Sequence, residues 1–468
     1  MPRENEKIPT SRVRRTATVA TLAASEAVKQ FGTRAANVTR GEQASHDAMA
    51  RRQLETAKQI VAVLGTMKGA AMKLGQVMSF LDVGLVPEEY REEFQHELAK
   101  LRDAAPTVSF KQMRHVIEDE LEEPIRSLFS SFDEEPIAAA SIGQVYRARL
   151  RDDGREVAVK VQYPGVAGAV RADLQNLDMI MRVLKRMTPG LDVKAIAEEI
   201  RERIVEELDY ELEAQNQRSL ARIFAGHPFI LVPQVVSGLT RERVLVSEFV
   251  SGVGFEELKK RPQAERDRIG EIVFRFFLGC LYRHRQFSGD PHPGNFLLLE
   301  DGRVAFLDFG LFKRLDAAPV ELELACQRAV AEGDAARLHA LLAESGFLPE
   351  PERVDPENLL AFVKDAIWWY TTADEAVELT PEIATNVMIE SSDPRSSYFR
   401  EMRHQRMNAE HLFGRRMEML TLAVLSQLHA TANWHRIARE WMYGEDPVTE
   451  LGVAEGEFYG RRGVRAAG

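Results

Sequence analysis

Apolar residues recur at steps of three and four along the first quarter of the chain, a spacing typical of amphipathic helices. This pattern predicts a helix over residues 42–81. A second helix is expected after Pro87 and before Pro106, because proline is tolerated in the first turn of a helix and disfavoured further in. A third is predicted between Pro106 and Leu128, with apolar residues again on one face.

Period-two and β-branched runs then replace the helical pattern. Residues 142–150 and 156–161 read as strands, and the Asp-Gly pair within residues 151–155 predicts a hairpin turn between them. Two further apolar stripes at helical spacing follow, over residues 170–184 and 196–212. The second of these predicted helices is strongly acidic.

The second half of the chain is mostly helical, with short strands near its start. Strand-like runs occupy residues 229–236 and 243–250, and a helical pattern then continues through Tyr282. Two short strands are predicted at residues 296–299 and 304–307, followed by a helical remainder. A small antiparallel sheet with accessory helices, followed by a helical lobe, predicts a two-lobed α+β fold.

Composition is that of a globular protein and argues against general nucleic-acid binding. The 468 residues are 45% hydrophobic and 28% charged, with a formal charge of −11, whereas a surface that tracks phosphates needs a basic excess. Residues 1–40 carry eight Lys or Arg against three Glu. A solvated tail is the favoured interpretation of this basic start, and contact with an anionic membrane surface is the alternative.

The two cysteines indicate a reducing, cytosolic setting, because Cys280 and Cys326 cannot form a disulfide scaffold and have no metal-ligand spacing. Cys280 lies in an apolar stretch and is expected to be a buried small hydrophobe. No secretory signal is expected at the start. Residues 419–435 lack Lys, Arg, Asp and Glu but contain several polar side chains, so a core helix is predicted there rather than a membrane span.

Lys160, in the apolar run of residues 157–161, is the first candidate for phosphate chemistry. A lysine near the end of a β-branched strand can present its ammonium to phosphate oxygens as a point charge. Taken alone, an exposed strand lysine is the simpler interpretation. The acidic helix downstream favours the functional one, because Glu213, one turn after Asp209, would pair with Lys160 and hold it in place.

Two acidic motifs with an amide complete a possible ATP site. Asp290 and Asn295 lie in a proline-rich loop, and Asp308 follows an apolar strand eighteen residues after Asp290 and precedes Phe309-Gly310. Phosphoryl transfer needs a carboxylate near the attacking oxygen and oxygen ligands for Mg²⁺. Solvated turn residues are the alternative for each motif taken singly, but their combination at this separation favours the ATP site.

Two features depart from ordinary protein kinases. The place of a glycine-rich phosphate loop is occupied by Ala138, Ala139, Ala140 and Ser141. Alanines restrict positive φ and crowd the approach of phosphates to the backbone, so altered nucleotide geometry is expected. The second feature is Lys73-Leu74-Gly75-Gln76, in which Lys73 and Gln76 share a helix face.

These motifs together resemble the UbiB/AarF family of atypical kinases, whose members support isoprenoid-quinone biosynthesis. The resemblance covers roughly residues 60–312 and extends into the tail near residues 412–416. It implies a protein-kinase-like fold with an N-terminal helical extension that carries Lys73 and Gln76 across the cleft, and a helical C-terminal tail. The expected divisions are a basic segment (1–41), the helical extension (42–128), an N-lobe (129–252), a C-lobe (253–345) and a helical C-terminal region (346–468).

The resemblance also implies roles for single residues. Lys73 would pair with Glu207 and Asp209, although residues two apart on an ideal helix point in different directions, so either the helix is distorted near Leu208 or one carboxylate reaches Lys73. The remaining expected roles are Lys160 paired with Glu213, Asp290 as the catalytic-loop aspartate, Asn295 and Asp308 as Mg²⁺ ligands, and Glu248 and Val250 as backbone contacts to adenine. Where the family usually has His-Ala before its Asp-Pro-His-Pro-Gly-Asn motif, this chain has Ser288-Gly289.

Three functions remain open on the sequence alone. The first is an enzyme that binds ATP or ADP with Mg²⁺ and either hydrolyses ATP or phosphorylates a small or lipid-like acceptor such as an isoprenoid quinone precursor. A protein kinase is less favoured, because the helix bearing Lys73 would obstruct a peptide. The third is a nucleotide-sensing scaffold, which the alanine-rich loop favours and the complete metal-ligand set disfavours. A cytoplasmic protein, peripheral at the inner membrane face if membrane-bound, is expected, and nothing in the sequence selects an oligomeric state.

Overall fold

The computed structural model describes residues 108–174, 198, 201, 205–390 and 409–462. The helices predicted at residues 42–81 and between Pro87 and Pro106 lie outside these residues, as do Lys73 and Gln76. The chain divides into two compact units. The first unit runs to Glu211 and includes Val236–Val246, and the second unit comprises Leu212–Val235 and Ser247–Gly468.

The first unit is built on a small, mostly antiparallel sheet covered by a helix. Helix α1 (Phe110–Leu121) buries Met113, Ile117 and Leu121 and packs on strand β4, as its apolar spacing predicts. The predicted helix does not continue unbroken to Leu128: it stops at Glu122, which has a positive φ, and a short helix then begins after Pro124. Other elements of this unit are α2 (Ile125–Leu128), β1 (Phe129–Phe132), β2 (Ala138–Ala140), β3 (Gly143–Leu150), β4 (Glu156–Gln162) and α3 (Val166–Leu174).

The predicted hairpin between β3 and β4 is confirmed. Its register runs from Gly143 opposite Gln162 to Arg149 opposite Glu156, and Gly154 in the turn has a φ of 72°. The strand order is β1-β3-β4-β6, with β2 on β3, and β6 comprises Val244–Glu248. Strand β6 is shorter than the run of residues 243–250 that predicts it.

Helix α4 (Tyr210–Ile223) begins after an interruption of the predicted acidic helix. Val205 and Glu206 are helical, Glu207 and Leu208 form a turn, and Asp209 is outside any element. The expectation of one continuous helix over residues 196–212 is therefore wrong at this point, and the chain shows the distortion near Leu208 that was the first of the two alternatives above.

The second unit is organised around a buried helix, α6 (Gln263–His284). Every residue from Ile269 to Tyr282 is buried, so this helix has core contacts on all sides. Cys280, expected to be a buried hydrophobe, is 1% exposed. Burial raises the pKa of its thiol well above the ordinary value.

Short strands bring the predicted loops of the second unit together. Strand β9 (Val304–Phe306) pairs with β5 (Ile230–Leu231) in parallel and with β8 (Phe296–Leu298) in antiparallel fashion. Strands β7 (Gln286–Ser288) and β10 (Phe312–Arg314) form a separate pair. The short helix α5 (Phe255–Leu258) precedes α6.

The remainder of the second unit is mostly helical, as predicted. Its elements are α7 (Ala317–Glu332), α8 (Ala335–Glu344), α9 (Pro356–Thr371), β11 (Val377–Glu378), α10 (Pro381–Glu390), α11 (Ala409–Gln427), β12 (Thr431–Ala432), α12 (Trp434–Met442) and α13 (Glu450–Arg462). The core helix predicted at residues 419–435 ends early: α11 stops at Gln427, His429 has a φ of 51°, and β12 follows. No helix among the described residues is long and apolar enough to span a membrane.

Candidate functional site

Lys160 lies on the less buried face of β4. Successive side chains of a strand alternate between its two faces, so Lys160 points away from the apolar one. Val157, Val159 and Val161 are buried, whereas Lys160 is half-buried. Its ammonium lies 5.0 Å from the centre of the Tyr210 ring, a cation–π distance. The strand continues past Lys160 to Gln162. The structure thus holds this lysine against an aromatic ring that the sequence pattern did not indicate.

The alanine-rich segment is a strand rather than a loop. Ala139 pairs with Gln144 and Ala140 with Gly143, so the turn consists of Ser141 and Ile142. Neither turn residue is among the described non-glycine residues with positive φ. Ala138 and Ala139 are exposed, and Ala140 and Ser141 are half-buried.

Glu207 and Asp209 take different positions at the start of α4. Glu207 is 8% exposed, whereas Asp209 is half-buried and accepts a hydrogen bond from the Glu211 N–H at 2.9 Å. Asp209 therefore caps the start of α4 instead of sharing a helical face with Glu213. Pairing of these carboxylates with Lys73 stays a prediction.

Glu213 is buried on α4 at 4% exposure, three residues before the equally buried Asn216. Residues three apart share a helix face. The amide Nδ2 of Asn216 donates to the backbone carbonyl of Phe309 at 3.2 Å. The pairing of Glu213 with Lys160 stays a prediction, but within the second unit the helix of Glu213 is bonded to the Asp308-Phe309-Gly310 segment.

Hydrogen bonds fix the loop that contains Asp290 and Asn295. Asn295 Nδ2 donates to the Asp290 carbonyl at 3.2 Å. His292 Nδ1 accepts from the Gly294 N–H at 3.0 Å, within a single 3₁₀ turn that ends at Asn295. The proline-rich loop is held in place by its own side chains, as its composition predicts.

Asp308 is brought to this loop by the end of β9. The Leu307 N–H donates to the Asn295 carbonyl at 2.9 Å, and Asp308 Oδ1 accepts from the Gly310 N–H at 3.0 Å. Upstream, the aromatic rings of Phe276 and Phe306 stack with centroids 3.6 Å apart. Asp290, Asn295 and Asp308 therefore lie on segments that are hydrogen-bonded to one another, one of which is anchored on α6.

The donor atoms present fit a hard divalent cation. Asn295 Nδ2 is hydrogen-bonded to the Asp290 carbonyl, so Oδ1 would be the ligand atom of that amide, and the Asp308 carboxylate would supply a second oxygen. The described residues contain no group of three His, Cys, Asp or Glu that could hold a metal. Two protein oxygens suit Mg²⁺, which keeps waters and takes further ligands from nucleotide phosphates. Such an ion, when bound, neutralises charge on the phosphates.

The expected adenine contacts lie where β6 ends. The Glu248 N–H donates to the Gln234 carbonyl at 2.8 Å, so an adenine contact at Glu248 would use its carbonyl. Val250 is two residues further, past the end of the strand, and is half-buried. Their roles stay predictions.

Ser288, which stands where the family usually has histidine, also contacts the Asp308-Phe309-Gly310 segment. It is 3% exposed, and its Oγ donates to the Asp308 carbonyl at 3.3 Å. The neighbouring Gly289 N–H donates to the Leu311 carbonyl at 2.8 Å. Sequence reasoning missed Tyr210, Asn216 and the role of Ser288. The position of Asn216, one turn after Glu213, is the signal that would have found it.

Comparison with known proteins identifies the family. The ABC1 atypical kinase-like domain matches residues 100–342, more than half of the chain, and this range includes all the candidate-site segments described in this subsection. This chain belongs to the ABC1 family of atypical kinases. The predicted resemblance to UbiB/AarF kinases and the protein-kinase-like α+β fold with a helical C-terminal region are both confirmed.

Relatives of this ABC1-family chain carry kinase names. It is 28% identical over 472 residues to the atypical kinase coq-8, mitochondrial, of Caenorhabditis elegans, an alignment covering 96% of this chain and 60% of that protein. It is 31% identical over 334 residues to the atypical kinase COQ8B, mitochondrial, of Rattus norvegicus, covering 71% and 62% respectively. The chain thus spans about three fifths of the length of these two relatives.

A solved structure supports the same fold for this ABC1-family chain. The complex of Rv3197 with erythromycin from Mycobacterium tuberculosis has a TM-score of 0.60 and 31% sequence identity. The match covers 84% of this chain and 97% of that one. Its extent reaches well beyond the ABC1 domain, so the similarity includes much of the remaining chain.

Proposed function

We propose that this chain binds a magnesium nucleotide and acts as an ATPase or as a kinase of a small or lipid-like acceptor. The observation that carries the proposal is the joined arrangement of Asp290, Asn295 and Asp308, in which the amide nitrogen of Asn295 is used within the protein and its oxygen is left for metal. A carboxylate near the acceptor and two oxygen ligands for Mg²⁺ are what phosphoryl transfer requires of a protein.

Further predicted residues would complete the proposed nucleotide site. Lys160 would contact the phosphates and Glu213 would orient it. The hairpin of Ala138, Ala139, Ala140 and Ser141 would cover the phosphates, and Glu248 and Val250 would contact adenine. Lys73 and Gln76, on the family-specific extension, would also line the nucleotide site, and Glu207 and Asp209 would pair with Lys73.

The first test compares ATP turnover of the wild type with that of Asp308→Asn in the presence of Mg²⁺, with and without anionic liposomes. We expect a loss of about 100-fold or more, because the change weakens a metal ligand. The matched control is Asp301→Asn: Asp301 pairs with Arg303 in the turn between β8 and β9 and is exposed, so near wild-type turnover is expected. Equal turnover of wild type and Asp308→Asn under every condition would favour the scaffold function instead.

The acceptor class is tested separately. The coq-8 and COQ8B names of the relatives favour an isoprenoid quinone precursor or another lipid-like molecule, and the erythromycin complex of the Mycobacterium tuberculosis relative favours a bulky, largely apolar ligand. Quinone and lipid profiles of cells that lack this protein should show a change in one isoprenoid species. Transfer of labelled phosphate to an added peptide would favour a protein kinase instead.

A further inference from the structure

Two side chains from separate segments hold successive carbonyl groups of Asp308-Phe309-Gly310, here called the metal segment because Asp308 is a proposed Mg²⁺ ligand. Ser288 Oγ donates to the carbonyl of Asp308 at 3.3 Å, and Asn216 Nδ2 donates to the carbonyl of Phe309 at 3.2 Å. Both donors are almost fully buried, and Phe309 itself is 0% exposed. The backbone that carries the Asp308 carboxylate is thus fixed from β7 on one side and from α4 on the other.

The buried amide of Asn216 satisfies only part of its hydrogen-bonding capacity, which is unfavourable for the stability of the fold. Within the described part of the chain, its Oδ1 has no hydrogen-bond partner, and a buried polar atom without a partner costs stability. A buried apolar side chain at this position would avoid that cost. What asparagine provides here is the hydrogen bond from Nδ2 to the Phe309 carbonyl. The flipped amide could not make this bond, because two oxygens would then face each other.

The same contact links two parts of the proposed site. Helix α4 carries Glu213, the proposed partner of Lys160, and Asn216 is three residues further on the same face. A shift of α4 along its axis would therefore pull on the carbonyl next to Asp308. Kinase-like enzymes require the lysine anchor and the metal carboxylate to be in place together.

We propose that Asn216 and Ser288 are positioning residues that hold the Asp308 carboxylate in the orientation needed for Mg²⁺. This inference rests on the proposed function. Neither side chain acts on nucleotide: each fixes a backbone carbonyl, and the two carbonyls hold in place the backbone from which the Asp308 carboxylate branches. Groups that orient metal ligands without touching the metal commonly contribute about 10–100-fold to metal affinity.

The experiment measures how binding of a fluorescent ATP analogue depends on Mg²⁺ concentration. For Asn216→Leu we expect the half-saturating Mg²⁺ concentration to rise about tenfold, and for Ser288→Ala we expect a smaller rise in the same direction. Ser288→Thr keeps the hydroxyl and should retain the wild-type value. The matched control is Gln217→Leu, because Gln217 lies on the same helix, is 2% exposed and donates to Pro233 at 2.8 Å, outside the metal segment.

Thermal unfolding of each variant separates positioning from general stability. Gln217→Leu and Asn216→Leu should lose similar stability, while Asn216→Leu alone of the two shifts the Mg²⁺ dependence. Equal Mg²⁺ dependence in these two variants would overturn the inference while leaving the proposed function intact. If Asn216→Leu does not fold, an unchanged half-saturating Mg²⁺ concentration in Ser288→Ala would do the same. If the wild type binds the analogue independently of Mg²⁺, or does not bind it, both the inference and the proposed function would be overturned.

Discussion

Two histidines in the second unit, His227 and His284, have lowered pKa values. His284 Nε2 lies 2.9 Å from the hydroxyl of Tyr459. Burial, together with the nearby charge of Arg283, lowers the pKa of His284 to about 4 against a small opposing effect of Glu455. Burial also lowers the pKa of His227. Both imidazoles are therefore neutral in the folded protein near pH 7.

These shifts predict an acid-sensitive stability. Between pH 6.5 and about 4 the unfolded chain binds a proton at His284 while the folded protein does not, so the free energy of unfolding falls as the pH is lowered through this window. The contribution of His284 has an upper limit of about 3 kcal/mol. His284→Phe removes this titration and should flatten the profile of urea midpoints between pH 7 and pH 4.5. A variant profile as steep as that of the wild type would contradict the assignment.

At the scale of single elements, the hairpin that carries the alanines depends on one glycine. Gly143 begins β3 opposite Gln162, and a Cβ atom placed there would lie 2.2 Å from the Val161 carbonyl oxygen and 2.9 Å from the Tyr210 hydroxyl. The carbonyl belongs to the backbone of β4, so it cannot give way as a flexible side chain would. The close approach of β4 to β3 at this point therefore requires glycine.

Gly143→Ala should thus destabilise the first unit by about 1–3 kcal/mol, the usual cost of overpacking. Hydrogen exchange at the amides of β3 and β4 measures the effect locally. Gly168→Ala is the control, because Gly168 is exposed on α3 and a Cβ atom there would meet no atom within 4 Å outside its own stretch of helix. Alanine at that position should be neutral or slightly stabilising. Similar exchange in the two variants would show that β4 adjusts without cost.

The elements with strong local patterns could be predicted from sequence. The hairpin of β3 and β4 has alternating apolar residues and an Asp-Gly turn, and α1 has a clear apolar stripe. The strand character of Ala138–Ala140 could not be predicted, because alanine has low strand propensity and this segment is held by pairing with β3. Likewise, the break at His429 lies in a sequence with continuous helical pattern.

The candidate site divides in the same way. Asp290, Asn295 and Asp308 belong to short motifs whose chemistry can be recognised locally. The contact of Asn216 with Phe309 joins residues 93 positions apart, and no local pattern encodes such a hydrogen bond. The candidate ligand residues could therefore be predicted from the sequence, whereas the hydrogen bonds that support them arise only in the folded chain.

Across the whole second unit, one buried arginine joins elements from distant parts of the sequence. Arg275 on α6 has a side chain with 0% exposure and pairs with Glu271 on its own helix, Glu440 on α12 and Glu455 on α13. Burial opposes ionisation of Glu455, but the nearby His227, with its Nε2 3.7 Å from the carboxylate, and the charges of Arg283 and Arg275 lower its pKa to about 2. The last two helices are thus held on the central helix by charges that water does not screen.

Removing the cation from this network should be far more costly than removing an exposed one. Arg275→Met keeps much of the side-chain volume but leaves the carboxylates of Glu440 and Glu455 buried without their main partner, an expected loss of about 3–5 kcal/mol in the free energy of unfolding. Urea unfolding at pH 7 measures this loss of stability. The control is Arg436→Met, because Arg436 pairs with Asp374 at the surface and removing that pair should cost much less. Adding Glu440→Gln to Arg275→Met removes one uncompensated charge and should recover part of the loss. An arginine that only filled space would show no such recovery. A double variant whose free energy of unfolding is no higher than that of Arg275→Met would therefore refute the electrostatic account of how α12 and α13 are held.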